Sequence, residues 1–223
     1  MDIIQGSAEW FAIRCGKATA SKICDIVATT KGGWGASRKN YAAQLIAERL
    51  TGTPADSFSN PAMAWGTEKE PEARRAYSFR EDVDVAEIGF VLHPSIQMSG
   101  ASPDGLVGDD GLVEIKAPNT ATHIDTLLSE AVPAKYITQM MWQMACTGRK
   151  WCDFVSFDPR LSEPMRLFVK RVYRDDAEID RLEKLVSAFL TEVDVTLSAL
   201  RGKYEGNTLG PAYDDGLTYG EAA

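Results

Sequence analysis

The chain has 223 residues, 44% hydrophobic and 25% charged, with 24 basic and 32 acidic side chains and four cysteines. This composition is typical of a globular protein and excludes the collagen-like, disordered and disulfide-stapled classes. No apolar run approaches the roughly 20 residues that a membrane span needs, and the first residues, MDIIQGSAEW, lack the pattern of a secretory signal. We therefore expect a cytoplasmic protein with no membrane association.

The net charge of −8 is concentrated near the C-terminus. From position 175 to the end there are 11 acidic and 4 basic residues, whereas positions 1–174 hold 21 acidic and 20 basic ones. This balance excludes a protein that coats nucleic acid by charge alone. It leaves room for an enzyme that grips a short stretch of nucleic acid with a metal ion and a few cations.

The first third of the chain predicts helices separated by glycine-rich breaks. Short helical segments are expected at 10–13 and from 19 to about 28. The run Lys31-Gly-Gly-Trp-Gly-Ala-Ser37 predicts a mobile loop. A helix then begins near Ser37 and ends at Gly52, because glycine is the preferred residue just beyond a helix C-terminus.

After a loop over 53–62, Thr67-Glu-Lys-Glu70 resembles a capping box and predicts a helix that runs to about residue 80. The middle of the chain favours strands at 88–93, 97–102, 105–107 and 112–116. The last two are expected to form a hairpin, because Gly108-Asp-Asp-Gly111 between them is a turn signal.

The last third predicts one helix over 136–147 closed by Gly148, two strands at 153–158 and 166–173, and a long amphipathic helix over 179–200. This order of elements predicts an α/β fold in which helices flank a central mixed β-sheet. We expect residues 1–201 to form a single domain and residues 202–223 to be a poorly ordered tail.

The segment from Gly100 to Pro118 contains a candidate metal site. Asp104 stands at a strand corner, and Glu114 and Lys116 are two residues apart on one strand, so they point to the same face. If the hairpin closes, Asp104 comes near Glu114. Two carboxylates and the backbone carbonyl of Ile115 form an oxygen-rich ligand set suited to Mg2+ or Mn2+. A lysine beside such an ion suits hydrolysis of a phosphodiester.

These residue types also occur in sites without function. A Glu and a Lys on one strand face usually form a solvated surface pair, and an Asp before Gly usually belongs to a turn. The Ser-Pro-Asp-Gly corner, the ten-residue offset from Asp104 to Glu114 and the apolar neighbours of Glu114 favour the metal site.

The chain resembles the phage lambda exonuclease and YqaJ-type viral recombinase family, within the restriction-endonuclease-like PD-(D/E)xK nuclease superfamily. The resemblance runs from about position 10 to position 200. It is carried by a set of short motifs in a fixed order: Trp10-x-x-x-Arg14-x-Gly16, Thr19-Ala-Ser21, Ala62-Met-Ala-Trp-Gly66, Glu70, Ser102-Pro-Asp-Gly105, Glu114-Ile-Lys116-Ala-Pro118 and Tyr136-x-x-Gln139.

The resemblance implies a Mg2+-dependent exonuclease, with Mn2+ as a possible substitute, encoded by a phage or prophage. Such an enzyme degrades one strand of linear duplex DNA from 5′ to 3′, prefers a 5′-phosphate and leaves a 3′ single strand for annealing recombination. It also implies a ring-shaped homotrimer that passes DNA ends through its channel processively. The expected protein partner is a single-strand annealing protein.

Roles for individual residues follow from the resemblance at matching positions. Asp104, Glu114 and the Ile115 carbonyl would hold the metal ion, with Glu70 as an additional carboxylate and Lys116 as the catalytic lysine. The terminal 5′-phosphate would be bound by Arg14, Ser21, Ser102 and Gln139. Met63 would be an apolar wedge at the end base pairs, and Lys31 would reach the DNA.

Several of these residues have a plain structural interpretation as well. Glu70 and Ser21 are also suited to capping helices, and Arg14 to pairing with a surface carboxylate. A methionine such as Met63 is more often a core residue than a wedge, and Gln143, beside Gln139, has no predicted role.

Three other functions are compared with this one. An iron–sulfur nuclease usually has one early cysteine and three late ones, whereas here Cys15 and Cys24 are early and Cys146 and Cys152 late. A sequence-specific endonuclease and a catalytically inert module that binds DNA ends are the other two, because a shared fold does not fix function. The only histidines, His93 and His123, predict neither a zinc site nor a Ser-His triad.

Overall fold

A computed structural model describes residues 3–55 and 61–205, apart from the side chain of Met63. Its helices are α1 (Ala8–Arg14), α2 (Ile23–Val27), α3 (Ala36–Thr51), α4 (Pro61–Glu81), α5 (Thr120–Ser129), α6 (Ala134–Thr147) and α7 (Asp176–Tyr204). Short 3-10 turns cover Ala20–Lys22 and Glu163–Met165. Its strands are β1 (Ala18–Thr19), β2 (Thr29–Thr30), β3 (Gly33–Trp34), β4 (Val85–Ala86), β5 (Val91–Leu92), β6 (Ser99–Ala101), β7 (Gly105–Val107), β8 (Gly111–Lys116), β9 (Trp151–Phe157) and β10 (Leu167–Tyr173).

The strands form two mixed sheets and a separate hairpin. The larger sheet has the order β10-β9-β8-β7-β4, in which β8 and β9 are parallel and the other pairs antiparallel. The smaller sheet has the order β1-β6-β5, with β1 and β6 parallel. The prediction of an α/β fold with a mixed sheet flanked by helices is confirmed, with the strands divided between two sheets.

Apolar residues on the two faces of the larger sheet pack into two clusters. On one face, α2, α3, α6 and α7 surround residues such as Trp142, Phe154 and Phe189, which are almost fully buried. On the other, α4 packs Ala73 and Tyr77 against the sheet. Because β8 and β9 are covered on both faces, their side chains are nearly all buried, as in the interior of an α/β sheet.

The predictions for the middle and end of the chain are confirmed in type and close in position. β7 and β8 pair antiparallel around the Gly108–Gly111 turn. Helix α6 ends at Gly148, whose φ of +71° is the left-handed conformation that glycine adopts easily. The long apolar stripe of α7 packs against α2, α3 and α6.

The predicted loop at 31–37 is only partly irregular: residues 31–32 are the turn of a hairpin of β2 and β3, and α3 begins at Ala36. The Gly35 N–H donates to the Ala28 carbonyl at 2.8 Å, which closes the hairpin at its base. The buried guanidinium of Arg38 lies 4.2 Å from the ring centre of Trp34 and donates to the Ile26 carbonyl. The glycines of this segment indicate a loop, whereas the cation–π contact between Arg38 and Trp34 stabilises an ordered hairpin.

The predicted start of the fourth helix at the Thr67–Glu70 capping box is also wrong. Helix α4 begins six residues earlier, at Pro61. Proline is tolerated in the first turn of a helix, because the N–H groups there have no partner within the helix. Glu70 lies inside the helix and pairs with Arg74 four residues later. A Thr-x-x-Glu pattern fits such an interior position as well as a cap.

Two further differences concern α5 and the C-terminal end. Helix α5, capped by the Asn119 side chain, lies in a segment with no predicted element. Helix α7 continues through residues 202–204, at the start of the predicted tail; positions 206–223 lie outside the described residues. None of the helices within residues 3–55 and 61–205 combines the length and apolar character that a membrane span requires.

Candidate active site

The corner between β6 and β7 brings Asp104 against the middle of β8. The backbone N–H of Ile115 donates to Asp104 Oδ2 at 2.6 Å. Strand β7 starts at Gly105, opposite Val113, so beyond that point the edge of β8 is free to bind a side chain instead of a strand. Asp104 therefore lies beside Glu114, as predicted, and its recorded contact is with the backbone N–H of the next residue, Ile115.

The side chain of Glu114 is fully buried and surrounded by donors. Gln139 Nε2 donates to Oε1 at 2.6 Å and Gln143 Nε2 donates to Oε2 at 2.5 Å. Lys116 Nζ forms an ion pair with Oε1 of the same carboxylate. The two glutamines are four residues apart on α6, so one face of this helix presents both amides to the strand.

Lys116 lies at the end of β8 with about a quarter of its side chain exposed. Burial alone would lower its pKa, but the carboxylates of Glu114 and Asp104 outweigh burial and raise the pKa above its ordinary value. The ammonium group is therefore charged at neutral pH and stands at the accessible side of an otherwise buried carboxylate. This confirms that the hairpin places Asp104, Glu114 and Lys116 together.

Asp104 is in an unfavourable electrostatic position as long as it is charged. Burial and the neighbouring Glu114 raise the pKa of its carboxyl group well above the usual value, and Lys116 offsets part of this rise. Two carboxylates next to one ammonium leave an excess of negative charge. A divalent cation between them would remove that excess.

The backbone of Ile115 can supply a further oxygen. In an extended strand, the N–H and C=O of one residue point toward the same neighbour. Since the Ile115 N–H faces Asp104, its carbonyl lies at the same edge of β8. Two carboxylates and one peptide carbonyl are hard oxygen donors, the ligands that Mg2+ prefers.

Glu70 is near this group but paired elsewhere. Arg74 Nη2 donates to Glu70 Oε1 at 2.6 Å. Burial raises the pKa of Glu70, while Arg74 and Lys116 counter that rise, so the charge of Lys116 reaches this carboxyl group. In the described part of the chain, no group of three or more His, Cys, Asp or Glu side chains is placed to hold a metal ion.

Arg14 lines an open cleft of about 580 Å³ between α1 and α3. Within residues 3–55 and 61–205 its guanidinium has no hydrogen-bonding or ion-pairing partner; its central carbon lies 3.6 Å from the ring centre of Trp10. Burial lowers the pKa of Arg14 to about 10, against the smaller effects of Tyr41 and Glu48. A partly buried cation with free donors is suited to bind an anion.

Trp10 connects the cleft with the strand corner. Its indole N–H donates to Ser102 Oγ at 2.9 Å, and its ring face supports the Arg14 guanidinium. Ser102 is two residues before Asp104. The Trp10 side chain therefore contacts both Arg14, in the cleft, and Ser102, beside the carboxylates. Trp10 belongs to the first motif of the sequence, which by itself predicts no role for the indole ring.

The other predicted phosphate ligands are divided between the two regions. Ser21 lines the cleft with Arg14, with its hydroxyl 3.5 Å from that of Thr19. Gln139 is instead bonded to Glu114. The wall of the cleft is fixed by buried Glu48, which accepts from the Gly16 N–H at 2.6 Å. Gly16 has a φ of +70°, which a residue with a side chain would adopt only with strain.

The two predicted DNA contacts, Lys31 and Met63, have no recorded bond to the carboxylate group or to Arg14 among the described side chains. Lys31 is exposed at the turn between β2 and β3. The Met63 side chain lies outside the described residues, so its role as a wedge stays a prediction.

His123 has local hydrogen-bonding partners, and the cysteines form no disulfide. His123 is buried, with Nδ1 2.7 Å from Ser156 Oγ and Nε2 2.8 Å from the Met165 carbonyl oxygen. All four cysteines are free thiols; Cys15 and Cys24 are partly exposed, whereas Cys146 and Cys152 are buried. The Ser156–His123 pair is fully buried, so it has no access to a substrate.

Comparison with solved structures defines the class of fold. The alkaline exonuclease LHK-Exo from Laribacter hongkongensis is 51% identical over 90% of this chain and 100% of that chain, with a TM-score of 0.84. Its complex with dAMP gives a TM-score of 0.85 at the same identity and coverage. A phage-related exonuclease from Haemophilus somnus 129PT shares the fold at 18% identity, covering 82% of this chain and 96% of that chain, with a TM-score of 0.68. The fold is that of the PD-(D/E)xK phage-type exonucleases.

The family is given by the sequence match. Residues 9–150 match the family described as the YqaJ-like viral recombinase domain. No curated protein matches the chain. The chain belongs to the YqaJ-like viral recombinase family, as its motifs predicted, and its kinship with alkaline exonucleases supports a nuclease role.

Proposed function

We propose that this chain is a Mg2+-dependent exonuclease that degrades one strand of linear duplex DNA from 5′ to 3′ and leaves a 3′ single strand for annealing. The observation that carries the proposal is the convergence of three charged side chains around Ile115. Asp104 accepts from the Ile115 N–H, and its two neighbours in sequence, Glu114 and Lys116, form an ion pair. A module that only binds DNA has no need of a buried carboxylate and a second, partly buried one beside a lysine, since binding to phosphates requires only cations.

The donor groups fit a divalent ion. Asp104, Glu114 and the Ile115 carbonyl would hold Mg2+ or Mn2+, and Glu70 would join them if it left Arg74. When bound, the ion supplies a water of lowered pKa and neutralises charge on the phosphodiester. Lys116, charged and partly exposed, is placed to stabilise the negative charge that develops on the phosphoryl oxygens.

The cleft is the proposed site for the terminal 5′-phosphate. Arg14 and Ser21 face it, and Ser102 lies at its border with the strand corner, held by Trp10. Arg14 has free donors for a phosphate and is already partly desolvated before the phosphate binds. Gln139, whose amide donates to Glu114 outside the cleft lining, would have to turn from that carboxylate to contact the phosphate.

A relative supports this kind of ligand. LHK-Exo, 51% identical, was crystallised with dAMP, a nucleoside monophosphate. An exonuclease that removes single nucleotides releases molecules of this class. We extend that binding to this chain because its cleft joins a cation, hydroxyl groups and aromatic rings in one space.

The proposal includes an assembly and a partner. We infer from the family that three copies form a ring around the DNA, that Lys31 and Met63 contact its end, and that a single-strand annealing protein receives the 3′ strand in the cytoplasm of a bacterial host. A closed ring would keep DNA bound despite the net charge of −8, because DNA threaded through a ring is retained without strong electrostatic attraction.

The test compares three DNA substrates in the presence and absence of Mg2+. They are a linear duplex with 5′-phosphates, the same duplex with 5′-hydroxyls, and a closed circle, with the 3′ ends of both linear duplexes labelled. We expect Mg2+-dependent release of mononucleotides from the linear duplexes, faster with the 5′-phosphate, while the label stays in long single strands. Native mass spectrometry measures the expected trimer in the same preparation.

Each other result points to a different function. Cutting of the circle would favour an endonuclease of the same fold. Binding of linear ends without cutting would favour an inert module. Loss of the 3′ label first would reverse the proposed direction.

A further inference from the structure

Gln143 is a fully buried polar residue of α6 for which the motifs of the sequence predict no role. Its Nε2 donates to Glu114 Oε2 at 2.5 Å, while Gln139 donates to the other oxygen, Oε1, at 2.6 Å. Buried amides in protein cores are costly unless both of their polar atoms are bonded. The carbonyl oxygen of Gln143 therefore also needs a partner.

Cys152 of β9 supplies that partner from the other side. Its Sγ donates to Gln143 Oε1 at 3.8 Å, within the range of bonds to sulfur. Burial, followed by the nearby carboxylates of Glu114 and Asp104, raises the pKa of the Cys152 thiol well above its usual value, so the sulfur keeps its hydrogen. With a donor facing its oxygen and an acceptor facing its nitrogen, the amide has one favourable orientation.

The two oxygens of Glu114 are consequently not equivalent. Oε2 faces the buried amide of Gln143, and Oε1 faces Gln139 and Lys116, both of which are partly exposed. Rotation of the carboxylate would break the bond to Gln143 and leave a buried charge without its donor, which is strongly unfavourable.

We propose that Gln143, oriented by Cys152, is a positioning residue that fixes the Glu114 carboxylate so that Oε1 alone is offered to a divalent ion. The inference rests on the proposed function, because it takes Glu114 to be a metal ligand. Residues that hydrogen-bond a metal ligand typically contribute about 10–100-fold to metal affinity.

The test measures Mn2+ binding to the DNA-free protein by titration calorimetry, so its readout does not depend on catalysis. Gln143→Met keeps the length of the side chain but removes the donor. We expect its Mn2+ affinity to fall by about 10–100-fold. Gln97→Met, at an exposed position, is the matched control and should bind as the unaltered protein does.

Substitutions at Cys152 test the orientation of the amide separately. Cys152→Ser keeps a donor toward Gln143 Oε1 and should retain most of the affinity. Cys152→Val removes it and should weaken Mn2+ binding by a few-fold, because the amide is then free to turn over.

The outcomes separate the inference from the proposed function. If the unaltered protein binds no Mn2+, the proposed metal site fails. If it binds Mn2+ and folded Gln143→Met binds equally well, only the role of Gln143 is wrong. If Gln143→Met does not fold, Cys152→Val decides: weaker binding supports the inference, and unchanged binding overturns it.

Discussion

The carboxylate group and the cleft beside it differ in how their polar atoms are satisfied. Glu114 accepts from two amides and an ammonium group, and Asp104 accepts from a backbone N–H. In the described part of the chain, the Arg14 guanidinium lies against the rings of Trp10 and Phe90 and has no hydrogen-bonding or ion-pairing partner. One region is held rigidly by its own side chains, and the other keeps a partly buried cation with its donors free.

This difference suggests two ways of binding. The carboxylates are arranged before any ion arrives, so a metal would meet ligands that need little reordering. The cleft gains most from its ligand, because an anion would supply the hydrogen bonds that Arg14 lacks. Substitutions in the first region should therefore affect the rate of hydrolysis, and those in the second the choice of DNA end.

The largest effect is expected from Lys116→Met. It removes the charge that faces the reacting phosphate, and losing one such group typically lowers kcat on the order of 10²–10³-fold. Binding of DNA ends should stay nearly unchanged, which steady-state kinetics and a filter-binding assay measure together. Lys150→Met, at an exposed lysine that pairs with Asp110, is the control and should be fully active. Normal turnover in Lys116→Met would contradict the site assignment.

A smaller and more selective effect is expected from Arg14→Met. Charge-assisted hydrogen bonds contribute about 1.5–3 kcal/mol, so kcat/KM for a 5′-phosphorylated duplex should fall about 10–100-fold. A duplex with 5′-hydroxyl ends lacks the anion and should be cleaved at the unaltered rate. Arg181→Met, at an exposed arginine of α7, should change neither rate. An equal loss on both substrates would show that Arg14 acts in hydrolysis or in folding.

Trp10→Phe should have a milder form of the same effect. The phenyl ring still supports Arg14, but the N–H that holds Ser102 is lost. A neutral hydrogen bond contributes about 0.5–1.5 kcal/mol, so the preference for the 5′-phosphate should fall about 2–10-fold. The ratio of kcat/KM on phosphorylated and hydroxyl ends measures it. A drop in kcat on both ends would instead connect Trp10 to the carboxylates.

The smallest effect is expected from Lys31→Met at the exposed turn of the β2–β3 hairpin. If Lys31 contacts one phosphate, the slope of log affinity against log salt should fall by about one. Affinity at low salt should fall a few-fold, and the rate of hydrolysis at saturating DNA should not change. Lys39→Met, on α3, is the nearby control. An unchanged slope would remove Lys31 from the DNA interface.

The carboxylate site was predictable because short-range rules determine it. A turn signal fixes the register of β7 and β8, and the two-residue period of a strand places Glu114 and Lys116 on one face. The motif containing Tyr136 and Gln139 likewise lies on the helix that was predicted for it.

The parts that sequence reasoning missed depend on contacts between distant segments. The partners of Gln143 are on β8 and β9, and that of the Trp10 indole N–H is at a strand corner 92 residues away. The β2–β3 hairpin is held by Arg38, which lies in the following helix. Periodicity describes one segment at a time, so it contains no information on such pairs.

The bond between the Ile115 amide and Asp104 gives the molecule a built-in spectroscopic reporter. The amide proton belongs to Ile115, whose carbonyl is a proposed metal ligand. The carboxylate of Asp104, which accepts that proton, is a second proposed ligand. Titration of a diamagnetic divalent ion should therefore shift the Ile115 amide resonance in a nitrogen–proton correlation spectrum before any DNA is added.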